Sequence, residues 1–148
     1  MLISIKRSLI TLTSLAMLGL GTSAAMAGNN FILNQDGYGN GVGVLQQGDL
    51  NKGEIWQLHR KNSATLRQWG FGNVTVIGQD GNHNNSRVDQ AGVNNIAGCA
   101  QIGRRNGCTI SQTGLGNAAA TIQVGHGHSS SVSQSGSGNT SVVVQGDF

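Results

Sequence analysis

Primary amides are the dominant functional group of this 148-residue chain, and they are placed by count, not by cluster. Glutamine stands at Gln35, Gln46, Gln57, Gln68, Gln79, Gln90, Gln101, Gln112, Gln123, Gln134 and Gln145, eleven residues apart throughout. Five residues after these come Asn40, Asn51, Asn62, Asn73, Asn84, Asn95, Asn106, Asn117 and Asn139, with His128 at the one departing position. An amide donates and accepts at once, so amides at equivalent positions of a stack bond one another in a column. No other chemistry is organised in this way. Asp36, Asp49, Asp80 and Asp89 are scattered, whereas a polysaccharide-cleaving β-helix would gather carboxylates on one face. No nucleophile–base–acid set or phosphate loop is recognisable, so neither an enzyme nor a cofactor is expected. His126 and His128 form an H-x-H pair without further ligands, a poor metal site, and His128 reads as a substitution in the asparagine column.

The residues between the amides describe the elements that hold them. Two positions before each glutamine is usually apolar, as at Leu33, Val44, Ile55, Leu66, Ile77 and Val88, and four positions before is usually small. Asparagine, small residue, apolar residue and glutamine therefore alternate with a period of two, the strand period, and share one face. Glycine follows the glutamine by two residues in nine of eleven units, His59 and Asp147 being the exceptions, and the four residues after each glutamine read as a turn. Proline is absent, as suits strands that donate and accept ladder bonds everywhere. Two units make a strand–turn–strand–turn rung of 22 residues, rising about 4.8 Å. The expected fold is all-β: a β-solenoid of about five and a half rungs, roughly 25 Å long, with two facing parallel sheets in cross-β stacking. Facing positions lie nine residues apart and pair large with small, as in Ile55 with Ala64, Leu66 with Thr75 and Ile77 with Ser86, which fills a thin core. The 24 glycines imitate a low-complexity composition, but eleven units in strict phase argue against a disordered linker.

Cys99 and Cys108 fall on one of those facing pairs. Packed sheets lie about 10 Å apart, while bridged Cα atoms are about 4.4–6.8 Å apart. Both a disulfide and two small buried thiols are consistent with the sequence. The outward columns differ between the sheets. One is polar, with Arg67 and Asp89 one rung apart and able to form an ion pair. The other collects Trp56, Val74, Val76, Ile96, Ala118, Ala120, Ile122, Val142 and Val144, an apolar face expected to make lateral contacts.

Residues 1–27 read as a cleaved signal peptide, with Lys6 and Arg7 before an uncharged apolar stretch and Ala25, Met26 and Ala27 as the cleavage site. Residues 28–34 form a short segment, and 35–148 the repeat solenoid. Losing Lys6 and Arg7 leaves seven basic against six acidic residues, so the basic character of the precursor is no argument for nucleic acid. No cluster of Lys or Arg interleaved with aromatics is apparent, and neither a nucleic-acid partner nor a small-molecule substrate is expected.

The repeat resembles that of curlin, the subunit of bacterial curli fibres, in the spacing Gln112, Gly114, Asn117, Ala119 and Gln123, and again in Gln134, Gly136 and Asn139. The resemblance covers Gly28 to Phe148. It implies a secreted structural subunit of an extracellular, cell-surface amyloid fibre, exported through the periplasm and the outer-membrane curli secretion machinery, for biofilm matrix, adhesion and aggregation. Its partners would be copies of itself and a companion curlin subunit or nucleator. The units are nearly all asparagine-led, as in minor subunits, so a nucleating role stands as the alternative. A non-amyloid ligand-binding solenoid is the second alternative; it would need a regular outward threonine or aromatic array.

Overall fold

Strands wind into two facing sheets in a β-solenoid of about five turns, seen in a computed structural model that describes residues 9–10 and 28–147. The signal-peptide segment lies outside the described residues, apart from a two-residue strand β1 (Leu9–Ile10) set antiparallel on β2. The solenoid strands are β2 (Asn30–Gln35), β3 (Gly41–Asp49), β4 (Lys52–Arg60), β5 (Ser63–Phe71), β6 (Val74–Asn82), β7 (Asn85–Val93), β8 (Ile96–Arg104), β9 (Gly107–Leu115), β10 (Ala118–His126), β11 (Ser129–Ser137) and β12 (Thr140–Gly146). Even-numbered strands form the first sheet, joined at its β2 edge by β1, and odd-numbered strands from β3 to β11 form the second. Every solenoid pair is parallel, and each residue lies beside the residue 22 positions on, as in Gln79 beside Gln101 and Gln90 beside Gln112.

The stack begins earlier than the glutamines indicate. Residues 30–35 already pair with β4, so the segment 28–34 contributes the first strand, and Asn29 heads an asparagine column. Phe31 stands where other units have a small residue; it lies beside Gly53 in the ladder and packs there, so large and small residues also compensate along a column.

The turn is tighter than four residues. From β3 to β11 each strand continues three residues beyond its glutamine, and from β3 onward only two residues separate consecutive strands; β2 ends at Gln35, with five residues between it and β3. The arcs stack on one another as the strands do: Gly72 donates its N–H to Asp49 O (3.0 Å), Asn94 to Phe71 O (2.9 Å) and Gly116 to Val93 O (2.9 Å). Backbone groups that a turn would leave to water are thereby paired between rungs.

The core is one residue deep. Ile55, Leu66, Ile77, Val88 and Ile110 are fully buried, interleaved with Ala64, Thr75, Ser86, Ala97 and Ala119. The expected pairing at nine residues holds, as Ser130 Oγ donates to Thr121 Oγ1 at 3.3 Å and Cys99 is bridged to Cys108. It is not one-to-one. Ser86 also touches Cys99, thirteen residues on, and a Cβ on Gly53 would strike Leu66, so the two sheets are staggered and each small residue sits between two larger ones of the opposite sheet.

The glycine two positions after glutamine is a steric requirement. At Gly92 φ is +127°, and a Cβ there would lie 2.0 Å from Gly114 O in the next rung. Gly92→Ala is expected to lower stability by about 2 kcal/mol, from the backbone conformation and the clash together. Gly78→Ala, on the outer face with open space around it, should stay within about 0.5 kcal/mol. Urea midpoints of the two variants check the contrast.

Candidate functional site

The functional candidates of this chain are columns, and the strands position them by bringing every twenty-second residue into contact. Two continuous glutamine ladders result. In one, Nε2 of Gln35, Gln57, Gln79, Gln101 and Gln123 each donates to Oε1 of the next glutamine up, at 2.7–2.9 Å, ending at Gln145. In the other, Gln46, Gln68, Gln90 and Gln112 donate in the same way at 2.7–2.9 Å, ending at Gln134. The second amide hydrogen crosses the core to the backbone of the opposite sheet: Gln79 Nε2 donates to Ser63 O at 2.9 Å and Gln101 Nε2 to Asn85 O at 3.0 Å. Each buried glutamine except Gln112, which bonds only along its column, thus ties its own column along the axis and the two sheets across it. Burying these amides without partners would cost about 1–3 kcal/mol per group.

The small column contributes more than space. Thr75 Oγ1 donates to Gln90 Oε1 at 2.7 Å and Ser86 Oγ to Gln101 Oε1 at 2.8 Å, supplying that oxygen with a second donor. Their small size alone is what the large–small pairing requires; their hydroxyls, seven residues beyond Gln68 and Gln79, are the sequence signal of this further role.

Asparagine works differently from glutamine. Its Oδ1 accepts the backbone N–H of the asparagine 22 residues on, as from Asn73 to Asn51 (3.1 Å) and from Asn84 to Asn62 (3.0 Å). Its Nδ2 donates to carbonyls of the arc: Asn73 to Trp69 O (3.1 Å) and to Gly92 O of the next rung (3.0 Å). It is a staple of the bend. A side-chain amide ladder joins it only in the column of Asn51, Asn73, Asn95, Asn117 and Asn139. In the column of Asn40, Asn62, Asn84 and Asn106 the bonds between rungs pass from backbone N–H to Oδ1. His128 keeps the scheme partly. Its N–H donates to Asn106 Oδ1 (3.0 Å), and its Nε2 reaches Val124 O (3.1 Å), the carbonyl an asparagine would bind, and Asp147 (3.2 Å).

The structure joins Cys99 and Cys108, whose Cα atoms are 6.6 Å apart, well inside the sheet spacing that stood against a bridge. The thin core, filled by alternating large and small side chains, lets the strands approach closely there. The expected Arg67–Asp89 pair is not made: the two are ladder neighbours, but Asp89 Oδ2 accepts from Arg87 Nε at 2.7 Å. Residues two apart share a strand face, and Arg87 reaches the carboxylate without crossing to another rung.

Outward on the first sheet, Trp56, Val76, Ile96, Ile122, Val142 and Val144 are exposed, with Val74, Ala118 and Ala120 partly covered. Leu58, Ile102 and Val124, in the column directly after the glutamines, add apolar surface to this face, interrupted by Asp80 between Leu58 and Ile102. Register places Gly78, Gly98 and Ala100 within the same face, so large side chains alternate there with flat backbone. The structure also gathers what sequence order disperses: Arg60, Lys61, Arg104 and Arg105 meet along one edge beside Tyr38, His83 and His126. The sequence reading found no basic cluster because these residues are 44 positions apart; reading the arcs in steps of 22 would have shown it.

Comparison with known families adds one match. Residues 61–92 fit the family model described as the curlin associated repeat. That span covers β5, β6 and nearly all of β7, and the same register extends to the strands on both sides. No curated protein matches the chain.

Gln90→Met tests the ladder. It leaves Gln68 Nε2, Gln112 Oε1 and the Thr75 hydroxyl each short of a partner, and should destabilise by about 3 kcal/mol. Gln145→Met, at the last position of its column, should cost about 1 kcal/mol. Equal shifts in urea midpoint would mean that the ladder carries no weight.

Proposed function

We propose that this chain, a member of the curlin family, is a secreted structural subunit of a curli-type amyloid fibre that grows by end-to-end stacking of solenoids. The observation that carries the reading is the polarity of the two ends. At the upper end, Gln134 and Gln145 use one amide hydrogen on Ala118 O (3.0 Å) and Ser129 O (3.1 Å) and direct no second one to a glutamine among the described residues. At the lower end, Gln35 and Gln46 donate upward, while their Oε1 atoms accept nothing among the described residues. One end offers donors and the other acceptors, along with the backbone edges of β11, β12 and β3. Leader removal would bare the edge of β2 that carries β1. Such ends match head to tail, the heterologous contact that does not close and so yields a filament.

The core supports the same reading. Val44 is 38% exposed on the edge strand β3, whereas Val88, its equivalent in the middle of the second sheet, is 0% exposed. A copy seated on that edge buries such residues as an internal rung does.

Strand parity favours one way for copies to follow one another. Eleven solenoid strands, β2 to β12, are described, an odd number. Both sheets then continue without a vacant half-rung when the next copy is turned half a revolution about the axis, its β2 seated on β11 and its β3 on β12. Each copy would advance the fibre by about 26 Å, at half the strand spacing per strand. The apolar outer face would change sides from copy to copy, available to neighbours on both sides of the fibre.

Export through the outer-membrane secretion machinery, biofilm and adhesion roles, and a companion or nucleating subunit belong to this proposal. A nucleating role has its own support in the nearly uniform asparagine-led units.

Purified mature chain should form fibres that bind thioflavin and give the cross-β reflections near 4.8 Å and 10 Å. Helical reconstruction should show a half-turn between copies. A chain that stays a soluble monomer would remove the reading, and copies related without rotation would remove the parity argument. The double variant Val76→Lys, Ala120→Lys should elongate at the parent rate, within about twofold, while bundles thin, since exposed charge opposes lateral apolar contact. Unchanged bundle width would exclude this face.

A further inference from the structure

The edge of the stack where the first sheet passes into the second carries cations that neither the ladders nor the outer sheet faces use. Moving up that edge, the third residue after each glutamine is Tyr38, Arg60, Asn82, Arg104 and His126, and the fourth is Gly39, Lys61, His83, Arg105 and Gly127. They line a groove of about 260 Å³. The opposite edge has no cation at the equivalent positions, which read Asp49, Phe71, Val93, Leu115 and Ser137, then Leu50, Gly72, Asn94, Gly116 and Gly138.

Three observations mark the groove as a binding site. Lys61, His83 and Arg105 hold φ of 55°, 60° and 57°, the left-handed conformation that Gly39, Gly72 and Gly116 supply elsewhere in the same position. A residue with a Cβ is strained there, and the opposite edge bears the same strain at Leu50 and Asn94; what distinguishes this edge is that its strained positions carry basic side chains. Next, none of Arg60, Lys61, Arg104 and Arg105 has a carboxylate within 4.0 Å among the described residues, although Asp80 on the neighbouring strand face binds His59 at 2.9 Å. Like charges converge on the groove unneutralised. Finally, the fixed charges recur every second rung, Arg60 to Arg104 and Lys61 to Arg105, with Asn82 and His83 between. That spacing, about 10 Å along the axis, suits an extended ligand with several anionic groups and not a single small ion.

We propose that this edge binds an acidic polysaccharide, a linear uronate chain lying along the stack axis. Its carboxylates would meet the Arg60–Lys61 and Arg104–Arg105 pairs, the guanidinium forks matching carboxylate geometry. Tyr38, 63% exposed at the lower end of the groove, offers an aromatic face to a sugar ring. A nucleic-acid strand is disfavoured, because successive bases need large aromatic platforms in succession and Tyr38 is the one Phe, Tyr or Trp lining this groove.

The site requires the solenoid alone, so it is testable whether or not the chain forms fibres. The mature chain, in its folded form, is titrated with oligogalacturonate, single-stranded DNA of like length and neutral dextran. Oligogalacturonate should bind in a salt-dependent manner and more tightly than the other two. Arg60→Gln with Arg104→Gln should weaken it roughly tenfold or more, by loss of two charge-assisted contacts. Lys61→Gly with Arg105→Gly should weaken it similarly while raising the melting temperature, since glycine relieves the backbone. Unchanged uronate affinity in both double variants would overturn the proposal. Tighter binding of DNA through the same residues would assign the groove to nucleic acid instead, and a lower melting temperature in the glycine variant would show that Lys61 and Arg105 are there for the fold.

Discussion

A buried primary amide needs partners in several directions, and here the geometry provides them only when an identical amide stands one rung above and another one rung below. The glutamine column is that arrangement. Its long axis fixes the register, because a slip of one residue would turn every amide to the outer face and a slip of two would set the amides against the apolar column. Its second hydrogen fixes the separation of the sheets, because most of the glutamines also reach a backbone carbonyl across the core, as Gln68 does to Lys52 O at 3.0 Å. Apolar burial alone would tolerate sliding and repacking. The amides make one register far better than its neighbours, and the thin core of Ile55, Leu66, Ile77, Val88 and Ile110 then packs in the only arrangement left to it.

The bends are held by a second device with a different logic. Asparagine ties its side chain to the backbone of its own arc and of the next, and the glycine two residues after glutamine allows successive arcs to approach within hydrogen-bonding distance. Glutamine thus spaces the sheets and asparagine closes the ends of each rung. Their shared repeat length is what lets eleven residues serve as a complete structural unit, each turned half a revolution from the last.

Much of this was legible in the sequence, for a physical reason: positions facing inward meet the same neighbours in every rung, so the same residue solves the same problem each time. Gln90 and Asn95 could be placed without coordinates. Outward and arc positions escape that rule. The fourth residue after glutamine is left-handed at Leu50, Lys61, Asn94 and Arg105 alike, and such varied identities concealed a uniform conformation. Asp89 pairs with Arg87, two residues away on its own strand face, and not with Arg67, its ladder neighbour on the next rung, and side-chain reach decided between them. The stagger that sets Ser86 between Ile77 and Cys99 is a property of the half-rung rise, which no single unit contains.

A stack that repeats its side chains faces a conflict wherever those side chains are charged. Identical neutral amides bond when stacked; identical cations one rung apart repel. The chain resolves the conflict by position and by alternation. Cations are confined to outward and arc positions, where water screens them, and along the basic edge Arg60 and Arg104 are separated by Asn82. Arg60 Nε donates to Asn82 Oδ1 at 3.3 Å, so the neutral residue serves as spacer and as hydrogen-bond partner. Inside, then, the period is 22 residues; along this edge the basic pair Arg60–Lys61 returns 44 residues on, as Arg104–Arg105. The doubling is the signature of electrostatics acting on an architecture whose hydrogen bonds demand the shorter repeat, and it leaves gaps between fixed charges that an anionic chain running along the axis can enter.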